Sequence, residues 1–147
     1  DVCSSDLLAP TNGAMGYGLP AAIAASLRDP QRSVVCFAGD GCFMMYPQEL
    51  ATAAQFGATP VVIVVNNGML GTIRMHQERE YPGRVSATRL DNPDFVALAR
   101  AFGAHAERVE CSADVPAAFR RARESGRPAL LELLTDPRQI TPQARLA

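Results

Sequence analysis

Residues 33–41 read Ser-Val-Val-Cys-Phe-Ala-Gly-Asp-Gly, and residues 60–67 read Pro-Val-Val-Ile-Val-Val-Asn-Asn. Both are short β-branched runs that end in polar residues, and the second is apolar at every position from 61 to 65. A strand of that kind has no solvent face, so it belongs inside a parallel sheet covered on both sides. The intervening residues, 42–65, number 24, enough for a turn, one helix and a returning strand. If the two strands are neighbours, a right-handed crossover carries Asp40 and Asn67 to the same carboxyl edge of the sheet.

The same alternation continues outward. Residues 105–109 and 129–134 are further strand candidates, after a first strand at 33–38 and a second at 61–66. A helix is expected over 47–56, with Pro47 suited to the first turn and Gly57 as its stop. Others are expected over 94–102, from Asn92-Pro93 to Gly103, and over 113–125, ending at Gly126. The stretch 13–27 turns from glycine-rich to alanine-rich and predicts a helix over its second half, with Pro20 near the first turn. Residues 67–90, with Tyr81-Pro82-Gly83 and several charges, read as a long loop of the kind that α/β proteins place at their ligand sites. The fold class is therefore α/β, a single domain with a parallel sheet flanked by helices on both faces. Residues 1–11 read as a disordered or non-family lead, and the domain covers 12–147.

Composition narrows the function classes. The 147 residues are 48% hydrophobic and 20% charged, and 14 basic against 15 acidic side chains give a net charge of −1. Such a balance has no footprint for nucleic acid or an anionic membrane. No apolar run approaches the roughly 20 residues that span a bilayer. Cys3, Cys36, Cys42 and Cys111 form no C-x-x-C pair, and with two histidines they make a poor zinc set. Unpaired cysteines fit a reduced compartment, and cytoplasmic residence is the expectation.

The polar residues at the strand ends suggest a chemistry. Magnesium takes six hard oxygens, commonly one or two from carboxylate or amide side chains and the rest from phosphate and water. Asp40 and Asn67 would supply that minimum. Gly39 and Gly41 let the backbone approach a phosphate closely, and the N–H groups of Gly41 and Cys42 are placed to face the anion.

Gly39-Asp40-Gly41, followed about two dozen residues later by Asn66-Asn67, resembles the thiamine-diphosphate-binding signature of acetohydroxyacid (acetolactate) synthases, benzoylformate decarboxylases, pyruvate decarboxylases and their relatives. The segment from Gly13-Ala14-Met15-Gly16 to Ala24 is similar to the same family's upstream segment. The resemblance implies that the Gly13 carbonyl meets the aminopyrimidine and that Met15 holds the cofactor in a bent shape. It also implies that the metal is shared by Asp40, Asn67 and the Met69 backbone carbonyl, with Leu70 beside the cofactor. Gln48-Glu49-Leu50 and residues 68–74 look closest to the synthases, and Ile140-Thr141-Pro142 resembles the family's closing segment.

By that likeness the chain is the C-terminal part of a larger enzyme, one that decarboxylates a 2-keto acid and transfers the two-carbon unit. The activating glutamate would lie on a pyrimidine-binding domain supplied by a second subunit, so a homodimer or homotetramer is implied. FAD in the full-length enzyme is left open. One departure bears on the subgroup: synthases carry a tryptophan where this chain has His76, and the chain has no tryptophan. His76 reads either as a substrate contact or as a solvated residue among Arg74, Glu78, Arg79 and Glu80. The alternatives are a 2-keto acid decarboxylase of benzoylformate or pyruvate type, or a non-catalytic relic that keeps the cofactor pocket. A nucleotide-binding module fits less well, because Gly13, Gly16 and Gly18 follow no strand. His105 and Glu49 are expected to be structural, and Arg120, Arg121 and Arg123 to form a solvated helix face.

Overall fold

The computed structural model describes residues 7–141 and 143–145. Cys3 and Pro142 lie outside them. Four parallel strands, β1 (Val35–Gly39), β2 (Val61–Asn66), β3 (His105–Val109) and β4 (Ala129–Leu134), form one sheet in the order β1-β2-β4-β3. The two most apolar strands, β2 and β4, are central, as burial on both faces demands. β3, which carries His105, Glu107 and Arg108, takes an edge of this sheet.

Helices cover both faces. On one side α1 (Gly18–Arg28), α2 (Asp40–Phe43), α3 (Glu49–Phe56) and α5 (Phe95–Ala101) bury Leu19, Ile23, Phe43, Leu50 and Phe95 against Val62, Val64 and Leu130. On the other, α6 (Val115–Glu124) sets Ala118 and Ala122 on Val61, Ile63 and Leu131. The alternation of a strand sends Cys36 and Ala38 of β1 to the first core. Phe37 points the other way, beyond the reach of α6, and is 72% exposed.

Local signals set most boundaries. Asp94 caps α5, its Oδ1 accepting the Ala97 N–H at 2.9 Å. Gly57, at φ 69°, ends α3 in the left-handed conformation that favours glycine. Three expectations need correction. β1 begins two residues later than 33 and runs through Gly39, so Asp40 and Gly41 form the first turn of α2 rather than a free turn. α3 starts at Glu49, because Pro47 sits in the tight turn that precedes it.

The largest correction is α4 (Gly71–Glu80), a helix inside the stretch read as a loop. It buries no residue, so it has no apolar stripe for a periodicity argument to find. Its polar side chains fasten it instead: Arg74 pairs with Glu78, Glu78 accepts the Gly83 N–H at 3.0 Å, and the Gln77 amide donates to the Ser86 carbonyl at 2.7 Å. No described helix is long and apolar enough to cross a membrane.

Two predictions follow from this packing. Burial pushes the Cys36 thiol up to about 11, with the nearby Cys42 adding to the shift, whereas Cys111 is exposed. Since only the thiolate is nucleophilic, iodoacetamide at pH 8 should modify Cys111 in the native protein and spare Cys36, as peptide mass mapping would read. The second concerns Glu107, which accepts two short hydrogen bonds from Arg121 of α6, at 2.9 and 2.6 Å. That makes Arg121 a paired residue, not only part of a solvated face. The Arg121 hydrogen bonds, aided by His105, hold the Glu107 carboxyl below its ordinary 4.5. A lowered carboxylate stabilises the fold above 4.5, and the gain is lost as pH falls through the folded value. Glu107→Gln should therefore cost about 1 kcal/mol or less at pH 7, the pair being partly solvated. The gap from wild type should close on acidification below 4.5 in urea titrations.

Candidate functional site

The pairing of β1 with β2 puts Gly39 level with Val65, so the residues that follow each strand emerge together at the carboxyl edge. Asp40 is there, only 2% exposed. A buried carboxylate needs compensating donors, and Asp40 has three. Its Oδ1 accepts the Gly41 N–H at 2.9 Å; its Oδ2 accepts the Gly68 N–H at 2.9 Å and the Asn92 amide Nδ2 at 2.7 Å. The Asn67-Gly68 peptide therefore lies directly against the Asp40 carboxylate, so the two strand ends converge as the crossover argument required.

Asn67 closes a tight side-chain turn, its Oδ1 accepting the Met69 N–H at 3.1 Å. Its amide nitrogen would lie 2.9 Å from a Cβ on Gly71, which helps keep α4 close. Met69 bridges antiparallel to Arg89 through Leu70 N–H to the Thr88 carbonyl and Leu90 N–H to the Gly68 carbonyl, both 2.8 Å. Those two bonds flank Met69 and use neither its N–H nor its carbonyl. The chain from 67 to 70 is thereby strapped across the site by the segment before α5.

An apolar wall stands beside these oxygens. A Cβ on Gly41 would lie 2.7 Å from Leu70 Cδ2, 3.3 Å from Leu90 Cδ1 and 3.5 Å from Met15 Cε. Met15 and Leu70, from distant segments, thus meet over Gly41, where a larger residue would have to displace the end of the Leu70 side chain. Gly39 is different: a Cβ would meet nothing within 4 Å. Gly13 has φ 67° and open space around it. The Gly41 N–H is turned to the Asp40 carboxylate, while Cys42, half-buried in the first turn of α2, presents an N–H that has no intrahelical partner by its position. An open apolar hollow of about 680 Å³ lies between Met15, Tyr17, α1 and Tyr46.

The two asparagines part company. Asn66 turns to β4, donating from Nδ2 to Glu132 Oε1 at 2.8 Å, and its Oδ1 accepts the Asn92 amide at 3.0 Å and the Gly68 N–H at 3.1 Å. Glu132 is 1% exposed and accepts Arg108 Nε at 2.8 Å. That hydrogen bond and the charge behind it hold the Arg108 guanidinium protonated more firmly than usual. Sequence reasoning missed Asn92 and Glu132. The visible sign was Glu132 itself, a lone carboxylate in Ala-Leu-Leu-Glu-Leu-Leu on a central strand.

Other candidates stay apart from this cluster. His76 is exposed on α4. Glu49 accepts the Thr52 hydroxyl at 2.9 Å within the first turn of α3, and His105 contacts Glu107 at 2.8 Å. Among the described residues no three His, Cys, Asp or Glu side chains gather as a metal cluster. A single carboxylate, an amide oxygen and a backbone carbonyl suit a hard cation that also binds phosphate and water.

Comparison with known proteins gives the family. Residues 4–133 match the family model described as thiamine pyrophosphate enzyme, C-terminal TPP binding domain, TPP being thiamine diphosphate. The acetolactate synthase isozyme 2 large subunit of Escherichia coli K12 is 41% identical over 125 residues, covering 84% of this chain and 23% of that protein. The probable acetolactate synthase large subunit of Methanocaldococcus jannaschii is 36% identical over 131 residues, covering 88% and 22%. Among solved structures, a Rhodococcus jostii RHA1 thiamine diphosphate-dependent 4-hydroxybenzoylformate decarboxylase superposes with a TM-score of 0.81 at 34% identity, over 86% of this chain and 24% of that one. The chain thus spans less than a quarter of each of these relatives. It belongs to the thiamine pyrophosphate enzyme family, as a C-terminal TPP-binding domain.

Proposed function

We propose that this domain holds the diphosphate of thiamine diphosphate through one Mg²⁺ bound by Asp40, Asn67 and the Met69 carbonyl, within an enzyme that decarboxylates a 2-keto acid and transfers the two-carbon unit. The observation that carries the proposal is the 2.9 Å contact of the Gly68 N–H with the buried Asp40 carboxylate, which puts Asp40 and the Asn67 turn in one crevice. When bound, the cofactor supplies a sink for the electrons released by decarboxylation. The chain's own residues orient it. Cys42 N–H and the backbone around Gly41 would face the diphosphate, Met15 and Leu70 would give apolar contact, and the Gly13 carbonyl would accept from the aminopyrimidine.

Exposed Met15, Tyr17 and Tyr46 line the hollow beside α1, and Met44 and Met45, just before Tyr46 in the chain, are exposed too. The pyrimidine-binding domain of a second subunit would cover this face, giving a cytoplasmic homodimer or homotetramer. Synthase relatives at 36–41% identity support two-carbon transfer. A second reading, a decarboxylase that releases an aldehyde, is favoured by His76 in the place of the synthase tryptophan and by the likeness to the Rhodococcus decarboxylase. The complete protein incubated with pyruvate, cofactor and Mg²⁺ separates them: acetolactate without acetaldehyde supports the synthase, and aldehyde without acetolactate rejects it.

A further inference from the structure

The Asp40 carboxylate is not oriented by its own segment alone. Glu132, paired with Arg108, offers only acceptors, so Asn66 must turn its NH₂ to Glu132 and its carbonyl toward Asn92. Asn92 then faces two acceptors, Asn66 Oδ1 at 3.0 Å and Asp40 Oδ2 at 2.7 Å, and can satisfy both only by presenting its NH₂. With Gly68 N–H also on Oδ2, that oxygen has two donors, while Oδ1 has only the N–H of the adjoining Gly41. Pro93 biases the backbone of Asn92 toward an extended conformation, and Asp94 anchors the next helix.

We propose that Asn92 is a positioning residue for the metal site: its amide, oriented by the Glu132–Asn66 relay, locks Asp40 Oδ2 and thereby leaves Oδ1 as the oxygen that meets the cation. The inference rests on the metal reading given above. Groups that orient a metal ligand from behind typically contribute a factor of roughly 10 to 100 in metal affinity. Asn92→Leu keeps the approximate volume and deletes the donor, and Asn92→Ala is a second variant should the first fail to melt cooperatively. In the complete protein at saturating thiamine diphosphate, calorimetric titration of Mg²⁺ should show the apparent affinity reduced roughly 10- to 100-fold.

Ala99→Gly is the control for a merely structural role, since it weakens buried α5 in the same region and its side chain has no part in the relay. It should lower the melting temperature and leave the Mg²⁺ affinity within roughly twofold, well inside that range. Equal Mg²⁺ affinity in wild type and the folded Asn92 variant overturns this proposal alone. So does an equal loss in Ala99→Gly. Absence of any Mg²⁺-dependent cofactor binding in wild type overturns the metal reading and this proposal together.

Discussion

Replacing Asp40 with alanine is expected to eliminate magnesium-dependent binding of thiamine diphosphate while the protein stays folded. The substitution removes the buried carboxylate at the crevice, and loss of one member of a buried charged contact costs about 2–5 kcal/mol, a factor of roughly 30 to 5,000 in affinity. Stability should change less than affinity. Three donors lose their acceptor, at about 1–3 kcal/mol for each that stays dry, but a buried charge is also removed, and the truncated side chain leaves space for water at the sheet edge. Calorimetric titration of the cofactor with and without Mg²⁺ reads the first effect, and far-UV circular dichroism the second. Asp40→Asn should do no better than alanine. An amide there must aim its NH₂ either at the Gly41 N–H, where the cation would sit, or at the donors from Gly68 and Asn92.

Phe95→Ala is expected to be the most destabilising single change. Phe95 is fully buried and stands edge-on to Phe43, ring centroids 5.5 Å apart. Truncating a buried phenylalanine costs about 3–5 kcal/mol, a large share of the roughly 5–15 kcal/mol that holds a domain together. The urea midpoint should fall accordingly, with an unchanged slope if the transition stays two-state. The pair also links two elements that carry site residues. Phe43 ends the helix that Asp40 begins, and Phe95 opens the helix that follows Asn92, so the variant should also weaken Mg²⁺ binding where it still folds.

What could be read from the chain beforehand divides along physical lines. β2 was legible because every position from 61 to 65 is apolar, and its bounds, with those of β3 and β4, agree with the expectation. The length between β1 and β2 allowed them to be neighbours, and their pairing brings Asp40 to the Asn67-Gly68 peptide. α4 was not legible, because a helix held by Arg74, Gln77 and Glu78 writes no apolar stripe. Nor was the role of Asn92, whose partners Asp40 and Asn66 stand 52 and 26 residues away. Such contacts are set by the strand order β1-β2-β4-β3, which local patterns do not encode. In the chain, Asn92-Pro93 announced only the start of a helix. Of the adjacent asparagines only Asn67 was read as a ligand; the turn of Asn66 toward β4, while Asn67 enters the strap over the site, had no local signal.

Diffraction from crystals of the complete protein, grown with thiamine diphosphate and Mn²⁺ as an anomalous stand-in for magnesium, addresses the metal directly. One peak should appear at bonding distance, about 2 Å, from Asp40 Oδ1, Asn67 Oδ1 and the Met69 carbonyl oxygen. A manganese ion held elsewhere, with Asp40 out of bonding reach, would contradict the account.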